Sequence, residues 1–534
     1  MSINIKDWNV EDEGFWNSTG HKIANKNLWS SIPALLLAFS IWIMWGVLVK
    51  YMREFGFNFG MIEGFTPGTP EFVEKMKEIN SLYYTLPAIA GLSGATLRLP
   101  NSFLISLGGG RNVIFTTTTL LLIPAIGTGI ALSDINTSYM FFAVMAMLSG
   151  FGGGNFSSSM SNISFFFPKK VQGYSLGMNA GLGNLGVGVM QKVIPTVVTI
   201  SLFGGTAGSI ATAKGAPFEG LQNAAWVWVP LIALAAIGAF FRMNNVSTGT
   251  PSLPGSIKGI SKTLYMVTLG LIAAAIGSYL LIAVGLSMWI VLPIVVIIAV
   301  LLMKYATPSE IKENLNKQFS ILSDKHNWIM TIIYTMTFGS FIGYSMVFPK
   351  LAQDIFVYSN PNDPLFVNPN APNIMLWAFL GPVIGALIRP LGGILSDKLN
   401  SGAKVTMWST IFQIAAALGV AYFVIEARNV STPEDYWWPF FIMFMILFMM
   451  TGIGNGSTFR SIPYIFSKVK AGPVLGWTSA IAAYGAFVIP KVFGAQVKAG
   501  TPEYALYGFA IYYFICLILN WWYYQGPKRE FDNP

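Results

Sequence analysis

The chain has 534 residues, of which 54% are hydrophobic and 10% charged, and its mean hydropathy is +0.57. Soluble domains carry about 25% charged residues, so this composition excludes one and specifies an all-α polytopic membrane protein. With Cys516 as the only cysteine and His21 and His326 as the only histidines, a disulfide framework, a thiolate cluster, a His-based metal site and a Ser-His-Asp enzyme are all argued against.

In chain order, residues 1–30 are polar and carry Asp7, Trp8, Glu11, Asp12, Glu13 and Trp16. They have no basic n-region before an apolar core, so they read as a cytoplasmic surface segment and not a removable signal. Apolar stretches able to cross a bilayer follow near 31–49, 82–107, 112–133, 138–167, 173–203, 222–242, 263–284, 286–304, 327–350, 373–396, 404–425, 437–466, 472–497 and 503–525. At about 20 residues per span these make about fourteen transmembrane helices. An even number puts both ends on one side. Arg111, Lys169 with Lys170, Lys398 with Lys404, and Lys468 with Lys470 alternate with the less basic loops 204–222 and 352–373. The positive-inside rule makes the basic set, and both termini, cytoplasmic. The loop 50–80 balances Lys50, Arg53, Lys75 and Lys77 against glutamates and is expected outside. The net charge of +9 is spread through these loops, so it serves topology and implies no nucleic-acid partner; the bilayer is the partner.

The chain repeats itself. Gly94-Ala95-Thr96-Leu97-Arg98 recurs as Gly385-Ala386-Leu387-Ile388-Arg389, with Pro100 and Pro390 shortly after. Gly173, Gly177 and Gly186 recur as Gly472, Gly476 and Gly485, and Gly154-Asn155 with Phe156 as Gly454-Asn455 with Phe459. Such symmetry implies two six-helix halves in parallel repeat around a central path. The expected organisation is a cytoplasmic segment 1–30, an amino-terminal bundle 31–243, a linker with an inserted helix pair 244–326, a carboxy-terminal bundle 327–525 and a cytoplasmic tail 526–534. The pair near 263–304 has no counterpart in the other half, and Pro251, Pro254 and several glycines mark its entry.

The stretch 153–191 is apolar enough to enter a membrane yet crowded with Gly, Ser and Asn. Gly177, Gly181, Gly183, Gly186 and Gly188 let backbones approach closely. Helix packing alone accounts for most of these glycines. It does not account for Asn179 and Asn184, whose amides must find partners away from lipid.

Arg98 and Arg389 lie well inside hydrophobic spans, where a charge costs at least about 2.5–3.5 kcal/mol. The spans around them hold no Asp or Glu; Asp397 sits at the end of the Arg389 span. Guanidinium groups bonded only to backbone carbonyls are one alternative. The sharper reading is that the missing counter-ion is cargo. Two planar forks, one from each half, suit a small planar monovalent oxyanion such as nitrate or nitrite better than a dianion such as sulfate, which is harder to desolvate.

At these residues the chain resembles the nitrate/nitrite porter family of the major facilitator superfamily, of the NarK type. The resemblance is carried by 155–168, 177–191, 385–393, 337–345 and 452–459, and also by 7–16 and 27–33, with the inserted pair as the large departure. It implies that Arg98 and Arg389 bind the anion, that Asn184 and Tyr334 hydrogen-bond to it, and that Phe156, Phe338 and Phe39 wall the site. It makes Gly153, Gly181, Gly183 and Gly454 hinge or close-contact positions. Ala180 stands where the family motif often has Gly.

With no Asp, Glu or His in the central spans, and Lys192 and Lys491 as the other intramembrane cations, exchange of nitrate for nitrite is the simplest coupling; proton symport is the alternative. A carrier of another small anion, an anion channel and a membrane enzyme are the rivals. Nitrate and nitrite are the expected partners of a monomer that needs no cofactor and no metal.

Overall fold

The computed structural model describes residues 4–66, 69–200, 202, 210–211, 217–218, 220–357, 368–532 and 534. Much of the loops 204–222 and 352–373 lies outside them, as do the side chains of Lys50, Arg53, Lys77 and Lys491. The protein is an all-α polytopic membrane protein. Eleven helices among the described residues are long and apolar enough to cross a membrane: Glu13–Val49, Gly110–Leu132, Tyr139–Phe166, Asn223–Arg242, Ser256–Ile282, Met288–Tyr305, Lys325–Val357, Gly402–Arg428, Pro433–Ile465, Lys468–Ile489 and Glu503–Tyr524. Each matches one of the fourteen expected spans. The remaining three expected spans are helical too: Pro70–Asn101, Gln172–Val197, and a run broken into Ile374–Trp377, Leu380–Leu387 and Arg389–Lys398. They fall short on apolar content or continuity, and they carry Arg98, Asn184 and Arg389.

Helices are the only open-ended way to satisfy every backbone group in hydrocarbon. The side chains sort accordingly. Ile130, Leu234, Phe241, Tyr279, Ile297, Phe412 and Ile511 face outwards, whereas Asn179, Asn184, Asn455, Ser157, Ser158 and Thr458 are buried. A polar interior with an apolar exterior is the pattern of a protein whose solvent is lipid.

Packing divides the chain into two compact units. The first comprises Met1–Trp8, Lys22–Asn162 and Val189–Gln318; the second comprises Asn9–His21, Ile163–Gly188 and Phe319–Pro534. In the first, a short parallel pairing joins Asn4–Ile5 to Asn245–Val246, and Asn27 Nδ2 donates to Asn244 Oδ1 at 3.1 Å. The inserted pair, Ser256–Ile282 and Met288–Tyr305, belongs to this unit. In the second, Glu13 pairs with Lys170 at 2.9 Å and Glu11 with Lys468 at 3.1 Å, while Trp16 sets its edge against Phe167. The tail is tied down as well: Glu530 reaches Lys325 at 2.7 Å and His326 at 3.1 Å.

Candidate anion site

Each unit buries two arginines, Arg98 and Arg111 in the first and Arg389 and Arg460 in the second; Arg98 and Arg389 are the pair at 0% exposure. In the first unit, Arg98 rides near the end of Pro70–Asn101. One turn earlier, Gly94 lets Tyr139–Phe166 approach until a Cβ on Gly153 would lie 2.4 Å from the Gly94 Cα. That contact presents the Gly153 carbonyl, which accepts from Arg98 Nε at 2.7 Å. Three aromatic rings close round the guanidinium: Phe156, Trp42 and Phe39 lie 4.8, 5.0 and 5.8 Å from its Cζ. Trp42 is itself held by donating Nε1 to Ala90 O at 2.7 Å. Ring faces carry negative quadrupole density, so they stabilise a cation without quenching its hydrogen-bonding edge.

In the second unit, Arg389 opens the helical piece Arg389–Lys398, with Pro390 directly after it. Pro390 has no N–H for the carbonyl of Ala386, which breaks the helix at this point. Arg389 Nε donates back along its own helix to Gly385 O at 3.2 Å. Phe341 and Phe338 stand 4.2 and 5.5 Å from its Cζ. Nη1 and Nη2 have no hydrogen-bond partner among the described residues, and no carboxylate among them forms an ion pair with the group. The backbone-carbonyl alternative thus accounts for one nitrogen of this arginine and not for its fork. Leaving a buried charge unpaired is among the most expensive arrangements a protein can hold.

The Phe pair owes its position to an irregular turn. Lys325–Tyr334 ends at Tyr334, a π-turn spans Thr335–Gly339, and Ser340–Ala352 resumes the α-helix. A π-turn inserts one residue into the helical register, and such insertions cluster at functional sites. Gln413 Nε2 supports this one by donating to Met336 O at 3.2 Å. Tyr334 is buried, its ring 5.8 Å from that of Phe338 and 5.6 Å from that of Phe459. Gly454 lies behind the turn: a Cβ there would come within 2.8 Å of Thr337 Cγ2.

Asn184 reaches the same neighbourhood along a small-residue stripe. Gly177, Gly181, Asn184 and Gly188 fall on one face of Gln172–Val197. Added Cβ atoms on the first two would meet Arg389 O at 3.1 Å and Ala386 O at 2.6 Å. The stripe is therefore packed on the backbone that carries Arg389. Asn184 donates Nδ2 to Ala180 O at 2.7 Å, and its Oδ1 has no hydrogen-bond partner among the described residues.

The structure places Arg98, Phe39, Phe156 and Gly153 together in one unit, and Arg389, Phe338, Tyr334, Asn184, Gly181 and Gly454 together in the other. Gly183 is buried on the stripe's helix, and Lys192 is exposed. Two residues escaped the sequence reading. Phe341 stands one helical turn after Phe338, a spacing that could have revealed it. Trp42 carries no sequence signal of its own.

No family model matches the chain. Among solved structures, the proton:xylose symporter XylE aligns with a TM-score of 0.59 at 12% identity, covering 94% of this chain and 96% of that one. The human organic anion transporter MFSD10 (TETRAN) aligns at 0.54 and 12%, covering 94% and 99%. The chain has the fold of the major facilitator superfamily. The nitrate/nitrite transporter NarU of Escherichia coli (strain K12) is 34% identical over 99% of this chain and 97% of its own length. The probable nitrate/nitrite antiporter NarK2 of Thermus thermophilus is 33% identical over 98% and 97%. The nitrite extrusion protein of Bacillus subtilis (strain 168) is 23% identical over 82% and 84%. The chain belongs to the NarK/NarU family of nitrate/nitrite transporters.

Proposed function

We propose that this chain carries nitrate and nitrite across the cytoplasmic membrane, exchanging one for the other by alternating access, with Arg98 and Arg389 as the anion-binding cations. The observation that carries this reading is the buried Arg389 fork, both terminal nitrogens without a partner among the described residues. A planar fork in an apolar, aromatic-walled setting suits a small planar oxyanion, which gains paired charge-assisted hydrogen bonds on arrival. The transport assigned to relatives such as NarU and NarK2 supports the same substrates. Exchange follows from charge. The central spans hold no Asp, Glu or His, so no carboxylate or imidazole offsets two permanent cations. The empty form resists reorientation, and a bound anion lowers that barrier. The protein works as a monomer with both termini cytoplasmic, the side given by its basic loops.

Reconstituted liposomes test the reading. Labelled nitrite uptake should require nitrate or nitrite inside, and a proton gradient should not replace it. Arg98→Lys and Arg389→Lys keep the charge and lose the fork, so each should reduce exchange by about tenfold or more. Full activity in both lysine variants would sink the two-arginine site, and strong proton-driven uptake into empty vesicles would establish symport.

A further inference from the structure

The inserted helix pair is packed against the segment that carries Arg98. In Ser256–Ile282, three small residues fall where neighbours come closest. A Cβ on Gly259 would lie 2.3 Å from Gly108 O. One on Gly270 would lie 2.7 Å from Pro100 Cγ and 3.1 Å from Leu97 Cδ2. One on Gly277 would lie 2.4 Å from Val295 Cγ2 and 3.2 Å from Leu92 Cδ2. The helix after the pair, Ser309–Gln318, fastens the same region. Ser106 Oγ donates to Asn314 Oδ1 at 2.9 Å, and Gln318 Nε2 donates to Ser106 Oγ at 2.6 Å. At the entry to the pair, Arg111 Nη1 donates to Ser256 Oγ at 2.9 Å.

The direction of the Gly270 contact matters. Pro100 lies two residues beyond Arg98, about 160° round the helix. Gly94, on nearly the same side as Arg98, is pressed against Gly153 and Trp42. The helix is therefore held on its Arg98 side by glycine contacts and from behind by the inserted pair. With no slack on the Arg98 side, any thickening behind must move the helix axis or turn it.

We propose that the inserted pair is a brace that sets the position of Arg98, and that Gly270 is a positioning residue for anion recognition. The proposal rests on the reading of Arg98 as an anion ligand. A larger side chain at position 270 pushes Pro100 and shifts the guanidinium against Phe39, Trp42 and Phe156. Ligand geometry is steep in displacement, and an error of about 1 Å can cost about 100-fold in rate where contacts must align.

The test is nitrate–nitrite exchange in liposomes, scored as apparent KM against maximal rate, for protein that elutes as a single folded species. Gly270→Leu should raise the KM for nitrate by about tenfold or more. Should that variant not fold, Gly270→Ala is measured, with an expected rise of about threefold. Pro100→Ala alone should stay near wild type, and Gly270→Ala combined with Pro100→Ala should restore the wild-type KM, because trimming the ring gives the added methyl its space. Gly238→Ala, where a Cβ meets nothing within 4 Å, is the control. An unchanged KM in folded Gly270 variants, a fall in maximal rate alone, or no rescue by Pro100→Ala would each overturn the brace. Arg98→Lys separates the two readings: if it leaves the KM unchanged, the anion-ligand reading fails and the brace falls with it, whereas a large effect there beside silent Gly270 variants rejects the brace alone.

Discussion

Gly456 stands against the backbone of Arg389: a Cβ placed on it would lie 2.2 Å from the Arg389 carbonyl oxygen and 2.8 Å from the Gly393 amide nitrogen. Both atoms belong to a helix main chain, so neither can rotate away as a side chain would. Gly392 makes the reciprocal approach, with a Cβ there 2.3 Å from Ile453 O. Gly456→Ala should therefore force Pro433–Ile465 and the Arg389 helix apart. The expected loss is roughly 1–3 kcal/mol, the range for overpacking a tight contact, and it should appear as a lowered melting temperature in detergent. Gly508→Ala, where a Cβ meets nothing within 4 Å, should be neutral or slightly stabilising, since Ala is the better helix former by about 1 kcal/mol. Equal melting temperatures for the two variants would refute the crossing.

Phe341 is the nearer of the two rings on Arg389, 4.2 Å from Cζ against 5.5 Å for Phe338. A cation–π contact of this kind contributes about 0.5–2 kcal/mol. It matters most when no anion is present, because a bound anion neutralises the guanidinium. Phe341→Leu keeps an apolar side chain of adequate size and removes the ring face. The variant should be less stable than wild type without nitrate, and saturating nitrate should narrow the gap by preferential binding to the folded state. A melting-temperature difference that is the same with and without nitrate would show that the ring serves packing alone.

Glu310 lies on the helix that follows the inserted pair and reaches Lys262 at 2.8 Å and Lys258 at 3.0 Å. The Lys262 hydrogen bond, then that of Lys258, hold its carboxyl below the usual carboxylate range. A depressed carboxylate adds stability above its unfolded pKa of about 4.3 and loses it as pH falls through the lower folded value. Glu310→Gln should therefore melt slightly below wild type near neutrality, and the two curves should converge on acidification below about pH 4. The effect is small because the pair is exposed. A gap that widens with acid would contradict the assigned contacts.

Much of the fold was legible because hydrocarbon imposes a length and a polarity on every span. The three spans that fall short on apolar content or helix continuity are those with Arg98, Asn184 and Arg389, and they were readable through length, glycine content and repetition. The repeat also located Gly94 and Gly385 one turn before each arginine. Other features were hidden for physical reasons. The π-turn at Thr335–Gly339 has no composition of its own; it is supported by Gln413, 77 residues beyond the Met336 carbonyl it donates to. Trp42 reaches Arg98 only through the meeting of two helices, which a single sequence does not encode locally. Nor does periodicity reveal that 163–188 packs with the Arg389 helix, since glycines mark a contact without naming the partner.

Asn184 offers the sharpest test of charge at the Arg389 helix. It is fully buried, its Oδ1 has no hydrogen-bond partner among the described residues, and it shares a face with the glycines packed on the Arg389 backbone. Asn184→Asp changes the volume hardly at all but adds an acid to the neighbourhood of an unpaired guanidinium. An ionised Asp would take the place of the transported anion as counter-ion, so exchange at neutral pH should fall by about tenfold or more, while the protein folds as well as wild type or better. Protonation of that Asp removes the competitor, so the variant's exchange rate should recover as pH falls, unlike that of Asn184→Leu. Measuring nitrite counterflow for both variants across the same pH series decides it. Full activity of Asn184→Asp at neutral pH would place Asn184 outside the anion's reach, and an acid-insensitive loss equal to that of Asn184→Leu would make it a packing residue only.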